Sequence, residues 1–141
     1  MTTADQNLKF PFPVRQRVLW GEMDAFNHVN NVTYFRYFET GRVHFMYESG
    51  LWKLLLEEGI QIVVGKLECK FIQPLFYPDD IEISVAFKSL GTTSMVVHQK
   101  VTSLARGLAA EGDAIIVCTD PATGKKKPLT DKVRAAIEAL M

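Results

Sequence analysis

Apolar and polar positions first alternate along this chain, then cycle with a helical period, then alternate again. Val14, Gln16, Val18 and Trp20 stand against Arg15, Arg17 and Leu19, a two-residue period that predicts a first strand over residues 14–20. Residues 21–30 carry no such period and read as a loop. Tyr34, Phe38, Gly41 and Phe45 then fall three or four residues apart and share one face of a helix. Asn30 or Asn31 suits its N-cap, because an Asn side chain bonds the free amides of a first turn, and Gly50 suits its end. A glycine inside a helix costs about 1 kcal/mol relative to alanine. Gly41 lies on the apolar face, so it predicts a close approach to a sheet. Residues 51–58 predict one or two further turns. Residues 60–73 read as one long strand, with Leu67, Cys69 and Phe71 set against Glu68, Lys70 and Ile72, and Pro74 and Pro78 bounding it. Ile81, Ile83, Val85 and Phe87 alternate with Glu82, Ser84, Ala86 and Lys88. Residues 90–93 form a turn, and residues 94–104 and 108–119 are two more strands. Asp120, Pro121 and Gly124 mark another turn. Thr130 suits the N-cap of a short amphipathic C-terminal helix, within residues 129–141, that carries Val133, Ile137 and Leu140. Residues 1–12, polar and then FPFP, predict an extended arm. The order is one strand, one long helix and about four strands joined by tight turns. That order is an α+β fold in which an antiparallel sheet covers the aromatic face of the helix.

Length and composition narrow the classes. A chain of 141 residues is expected to form one domain, residues 1–141, with a core that needs no disulfide or metal. Sixteen basic and 16 acidic residues cancel, so no basic field invites nucleic acid. No run of about 18 apolar residues is long enough to span a membrane. The first ten residues, MTTADQNLKF, lack the basic start and apolar stretch of a secretory signal, so a cytoplasmic location is expected. Cys69 and Cys118 sit in apolar strand-like runs without CxxC spacing and read as buried free thiols. His44 and His98 have no neighbours at ligand spacing, and no metal is expected.

The chemistry concentrates in residues 20–42, WGEMDAFNHVNNVTYFRYFETGR. Asp24 stands in a polar loop with His28, Asn30 and Asn31, immediately before the helix. A carboxylate there can act as general base on water or attack an acyl carbonyl directly. Helix N-termini carry unpaired N–H groups and about half a positive charge, so the amides of Asn31 and Val32 are candidates to hold the developing oxyanion. His28 and Asn30 are candidates to position water or substrate. Each residue also has a structural reading. A loop aspartate commonly makes a turn, Asn30 and Asn31 commonly cap, and Glu39 and Arg42, three apart, can simply pair.

Trp20, Asp24, His28-Val29-Asn30-Asn31, Tyr34, Glu39 and Arg42 resemble the hotdog-fold thioesterases of the 4-hydroxybenzoyl-CoA thioesterase family. FIQPLFYPD at 71–79, GTTS at 91–94 and the turn at 120–124 extend the resemblance over about residues 14–130. It implies a hotdog fold, a curved antiparallel sheet wrapped around one long central helix. It implies hydrolysis of an acyl-CoA thioester to free acid and CoA, with Asp24 catalytic and no metal or bound cofactor. It implies homodimers or homotetramers with each site between two subunits. Tyr34, Phe38, Val64 and Gly65 are candidates to line an acyl pocket, although an aromatic stripe at helical spacing more often fills the core, and by the same resemblance Lys88, Gly91, Thr92, Thr93 and Ser94 would meet CoA. One branch of the family has a tyrosine four residues before the aspartate and a histidine seven after it. Those positions are Trp20 and Asn31 here, so those roles are not carried over. The rival readings are hydrolysis of acyl groups from acyl carrier protein and an acyl-thioester-binding module without turnover. Asp24 argues against the latter, since binding alone needs no carboxylate beside the carbonyl.

Overall fold

The computed structural model describes residues 7–141, so residues 1–6 of the expected arm lie outside the described residues. Strand β1 (Val14–Arg17) leads through a 3-10 turn (Trp20–Glu22) to the long helix α1 (Asn31–Glu48) and the short helix α2 (Leu51–Glu57). Strands β2 (Gln61–Leu67), β3 (Lys70–Phe71), β4 (Asp80–Leu90), β5 (Ser94–Ser103) and β6 (Gly107–Thr119) precede α3 (Asp131–Glu138). The sheet order is β1-β4-β5-β6-β2, with β3 also on β6, and every pairing is antiparallel. Tight turns explain the β4-β5-β6 meander. Among the described residues, no helix is long and apolar enough to cross a membrane.

Helix α1 begins and ends as its residues dictate. The Asn30 side chain accepts a bond from the Val32 amide at 2.9 Å, and Gly50, at φ 80°, supplies the left-handed residue after the last turn. The predicted face is buried, and Tyr37 and Arg42 join it. Gly41 is where helix and sheet come closest. A Cβ there would lie 2.6 Å from Ile83 Cγ2 and 3.2 Å from Val85 Cγ2. On one side of this contact a cluster of Tyr34, Tyr37, Phe38, Leu75, Ile81 and Val101 fills the space under the N-terminal half of α1. On the other side Phe45, Leu55, Phe87, Met95 and Ile137 join α1 to α2, the sheet and α3. Arg42 does not form the expected ion pair with Glu39 among the described residues. Its Nη1 donates to Gln99 Oε1 at 2.8 Å, and Gln99 Nε2 donates to the Phe38 carbonyl at 2.7 Å. Burial holds the Arg42 pKa below its ordinary value, against the opposing charge of Glu39.

Two predicted strands come out differently. The first ends at Arg17, because the chain turns at Trp20, whose side chain is 75% exposed. The strand expected over residues 60–73 is broken in two. β2 pairs with β6 as far as Leu67 opposite Ala114, and pairing resumes at Lys70 opposite Glu111. Between them the Glu68 carbonyl crosses directly over Gly112, where any Cβ would collide with its oxygen. Alternation on one strand cannot announce such a break, because its cause sits on the partner strand. The C-terminal helix starts as expected, with Thr130 Oγ1 accepting from the Val133 amide at 3.3 Å. Both cysteines are free, Cys118 is buried, and burial pushes the half-buried Cys69 thiol up to about 11.

Candidate active site

The loop between the 3-10 turn and α1 closes on itself. Met23 bridges Val29, the Asp24 amide donates to the His28 carbonyl at 3.0 Å, and the Asn27 amide donates to the Asp24 carbonyl at 3.1 Å. Asn27 takes the left-handed conformation this turn needs, at φ 65°, which asparagine tolerates better than most residues. Asp24 Oδ1 accepts from the Phe26 amide at 2.8 Å. Its other carboxylate oxygen makes no bond to the described residues. Half-buried Asp24 therefore has one oxygen fixed by the turn and one left for chemistry.

Asp24 belongs to an open cleft of about 540 Å³. Asp24, His28, Asn31 and Tyr34 line one side, and Phe71, Ile72, Gln73 and Pro74 line the other. The far wall is anchored to the loop and the helix. The Val29 amide donates to the Leu75 carbonyl at 2.8 Å, and the Leu75 amide donates to the Tyr34 hydroxyl at 3.1 Å. The His28 ring lies between Phe26, stacked at 6.3 Å, and Phe76, edge-on at 6.3 Å. Its nitrogens bond to none of the described residues, so they are available to water or substrate.

The start of α1 sharpens which amide is on offer. The Val32 amide is taken by Asn30 Oδ1, and the Thr33 amide by the Asn30 carbonyl at 2.9 Å. Val32 itself is 71% exposed and does not line the cleft. The donor expected of Asn31 and Val32 together is thus the Asn31 amide alone. Asn30 is occupied as a cap. Of the residues expected to line an acyl pocket, Tyr34 faces this cleft and Phe38 is buried in the core. Val64 lines a separate apolar slot beside β2, and Gly65 lies on the same strand. Lys88 Nζ pairs with Asp113 at 2.8 Å on the outer face of the sheet. The turn at Gly91, Thr92, Thr93 and Ser94 lies at the end of the sheet opposite Asp24. Neither it nor Lys88 reaches the cleft of its own chain. Among the described residues, no cluster of His, Cys, Asp and Glu could hold a metal ion.

Two residues outside the expected set organise the loop. Glu22 Oε1 accepts from the Leu19 amide at 2.7 Å and from the Tyr37 hydroxyl at 2.8 Å, and the Glu22 carbonyl accepts from the Asn30 amide at 3.0 Å. Tyr37 is fully buried. Burial, then the bond and charge of Glu22, push its pKa far above the ordinary tyrosine value, so the hydroxyl stays a donor. The carboxylate two residues before Asp24 was visible in the sequence. Its partner fifteen residues away was not, because the two meet only when α1 folds back over the turn. Tyr37→Phe is expected to cost about 1–2 kcal/mol of stability and to lower kcat roughly fivefold through a looser Asp24 loop. Thermal melting and thiol release at a temperature where the variant is fully folded would check this. Unchanged kcat would leave Tyr37 a purely structural residue.

A carboxylate, an open imidazole and a free helix-start amide therefore share one cleft. This set can activate water or attack an acyl carbon, and it can bind an oxyanion. Comparison with known proteins gives the family. The family profile described as the thioesterase-like superfamily matches residues 18–137. The chain is similar to the acyl-CoA thioester hydrolase YbgC of Escherichia coli O6:H1, at 27% identity over 89% of this chain and 93% of that one. It is also similar to the long-chain acyl-CoA thioesterase FadM of Escherichia coli K12, at 26% identity over 84% and 91% of the two chains. A solved thioesterase of Thermus thermophilus, complexed with coenzyme A and Zn, superposes with a TM-score of 0.81 at 30% identity, covering 94% of this chain and 95% of that one. The curled antiparallel sheet around α1 is the hotdog fold.

Proposed function

The chain belongs to the thioesterase-like superfamily, and from that premise we propose that it hydrolyses an acyl-CoA thioester to free acid and CoA. Asp24 serves as general base or nucleophile, and the Asn31 amide polarises the carbonyl. The observation that carries this reading is that Asp24 and Asn31 line the same cleft, with one Asp24 oxygen free of partners among the described residues. CoA thiolate is a good leaving group, so the site needs no strong general acid. No bound cofactor or metal enters this scheme. His28, with both ring nitrogens open, is the candidate to orient water.

The same reading has the protein act as a homodimer or homotetramer. Strand β2 is an edge strand whose Val63 and Val64 are more than 40% exposed. Val32, Val43 and Tyr47 of α1 are exposed as well. Uncovered apolar edges favour pairing with another strand. Antiparallel pairing of β2 with a second copy would reverse that copy end for end. Its turn at 91–94 would then approach this chain's Asp24 end, which reconciles the expected CoA contacts with their distance from the cleft of their own chain. Docking of an acyl carrier protein has less support. Lys127 of the basic run 125–127 is turned inward, donating to the Glu58 and Gly59 carbonyls at 3.0 and 2.9 Å.

Free-thiol release from a panel of aliphatic and aromatic acyl-CoAs tests the proposal. Turnover of at least one member is expected. Binding of an acyl-CoA without thiol release would instead identify a non-catalytic binding module.

A further inference from the structure

Resting on the acyl-CoA reading, we propose that Arg106 binds the phosphates of the CoA carrier at the rim of the Asp24 cleft. CoA carries its negative charges at the end remote from the thioester. Among the described residues, the cleft itself is lined by no Lys or Arg. With the carbonyl at Asp24, the phosphates must be met outside, where the carrier leaves the cleft.

Arg106 is a cation joined to residues of the cleft on its outside. Its Cζ lies 4.4 Å from the centroid of the Phe76 ring, and Phe76 stands edge-on to His28 of the cleft wall. Its main chain is fastened on both sides. The Arg106 amide donates to Ser103 Oγ at 3.0 Å, and the Arg106 carbonyl accepts from Gln73 Nε2 at 3.0 Å. Gln73 is itself part of the opposite cleft wall. Its backbone is thus tied to Gln73 of the cleft, and its side chain to Phe76, the ring that meets His28. Among the described residues the guanidinium forms no ion pair, whereas Arg15 is bonded to Glu82 at 3.0 Å. Its fork of N–H groups is free for an anion and matches the geometry of phosphate oxygens. Stacking on Phe76 restricts its rotamers before binding, which lowers the entropy lost when a phosphate docks.

The test compares two thioesters of one acyl group, the CoA ester and the N-acetylcysteamine ester, which has no phosphate. Arg106→Gln is expected to raise KM for the CoA ester about tenfold, as the loss of a charged hydrogen bond would. kcat should stay unchanged, and turnover of the N-acetylcysteamine ester should stay within about twofold of wild type. Arg106→Lys should recover part of the loss, keeping charge without the fork. Titration with CoA itself should show a matching loss of affinity in Arg106→Gln without relying on turnover. An unchanged KM for the CoA ester, an equal loss on both esters, or no CoA binding by the wild-type protein would overturn the proposal. Hydrolysis of the N-acetylcysteamine ester by the wild-type protein would leave the thioesterase reading standing whichever way Arg106 falls.

Discussion

Asp24→Asn is expected to lower kcat by roughly a thousandfold, in the range for losing a positioned base or nucleophile, while the fold survives. The substitution separates the two jobs of this side chain. Asparagine keeps an oxygen where Oδ1 accepts from the Phe26 amide, so the turn that shapes the loop persists. The change falls on the second oxygen, which has no partner among the described residues. An amide nitrogen there can neither deprotonate water nor attack a carbonyl. The melting temperature should therefore stay within about 3 °C of wild type, the shift expected for less than 1 kcal/mol in a domain of this size. Asp24→Ala should be equally inactive but less stable, because it also removes the turn bond. Thiol release and thermal melting of both variants check the pair of expectations. If Asp24→Asn keeps near-normal turnover, the catalytic oxygen comes from elsewhere. Single turnover in ¹⁸O-water tests for the anhydride: label appearing in the Asp24 carboxylate marks nucleophilic attack followed by hydrolysis at the aspartyl carbonyl, whereas label confined to the product acid marks water attacking the acyl carbon.

Much of this site could be read from local sequence, because much of it is local chemistry. The helical face from Tyr34 to Phe45, the cap at Asn30, the left-handed Gly50 and the cap at Thr130 each depend on residues within one or two turns. Gly41 was legible for the same reason, since a small residue on an apolar face has few uses besides close packing. What escaped depends on groups distant in sequence. The Glu22–Tyr37 bond needs α1 laid over the 3-10 turn. The break between β2 and β3 depends on Gly112, some forty residues later. The Val32 amide is the local exception, since Asn30 rather than Asn31 is the cap and its side chain takes that amide out of use. The turn at 91–94 and Lys88 could be placed on a hairpin, but a hairpin does not announce which end of the sheet it occupies. Arg106 gave only the signal of a cation before a glycine, and the ring that holds it lies thirty residues upstream.

Gly112→Ala is expected to destabilise the protein by about 3 kcal/mol, at the upper end of ordinary overpacking, or roughly 6–12 °C in melting temperature. The reason is the kind of atom the new methyl would meet. At Gly41 the nearest atom is the Ile83 Cγ2 methyl, a side-chain group rather than backbone. At Gly112 it is the Glu68 carbonyl, with the Cys69 Cα also close. Backbone can yield only by moving the whole crossing between β2 and β3. Moving it draws β3 off β6, where Lys70 and Phe71 pair with Glu111 and Ala110. Just beyond β3, the Ile72 and Gln73 amides both donate to the Ala109 carbonyl, at 2.8 and 3.1 Å. Phe71, Ile72 and Gln73 form the cleft wall opposite Asp24. A strain that begins in the sheet should therefore reach the site. Below its melting transition, folded Gly112→Ala should show a lower kcat/KM than wild type, by roughly tenfold, as small misplacements of a binding wall do. Gly21→Ala is the control, since a Cβ there meets nothing within 4 Å. It should shift stability by no more than about 0.5 kcal/mol. Thermal melts and thiol release on both variants decide the matter. If Gly112→Ala melts like Gly21→Ala, the β2–β3 crossing is soft, and the cleft wall does not depend on the missing side chain.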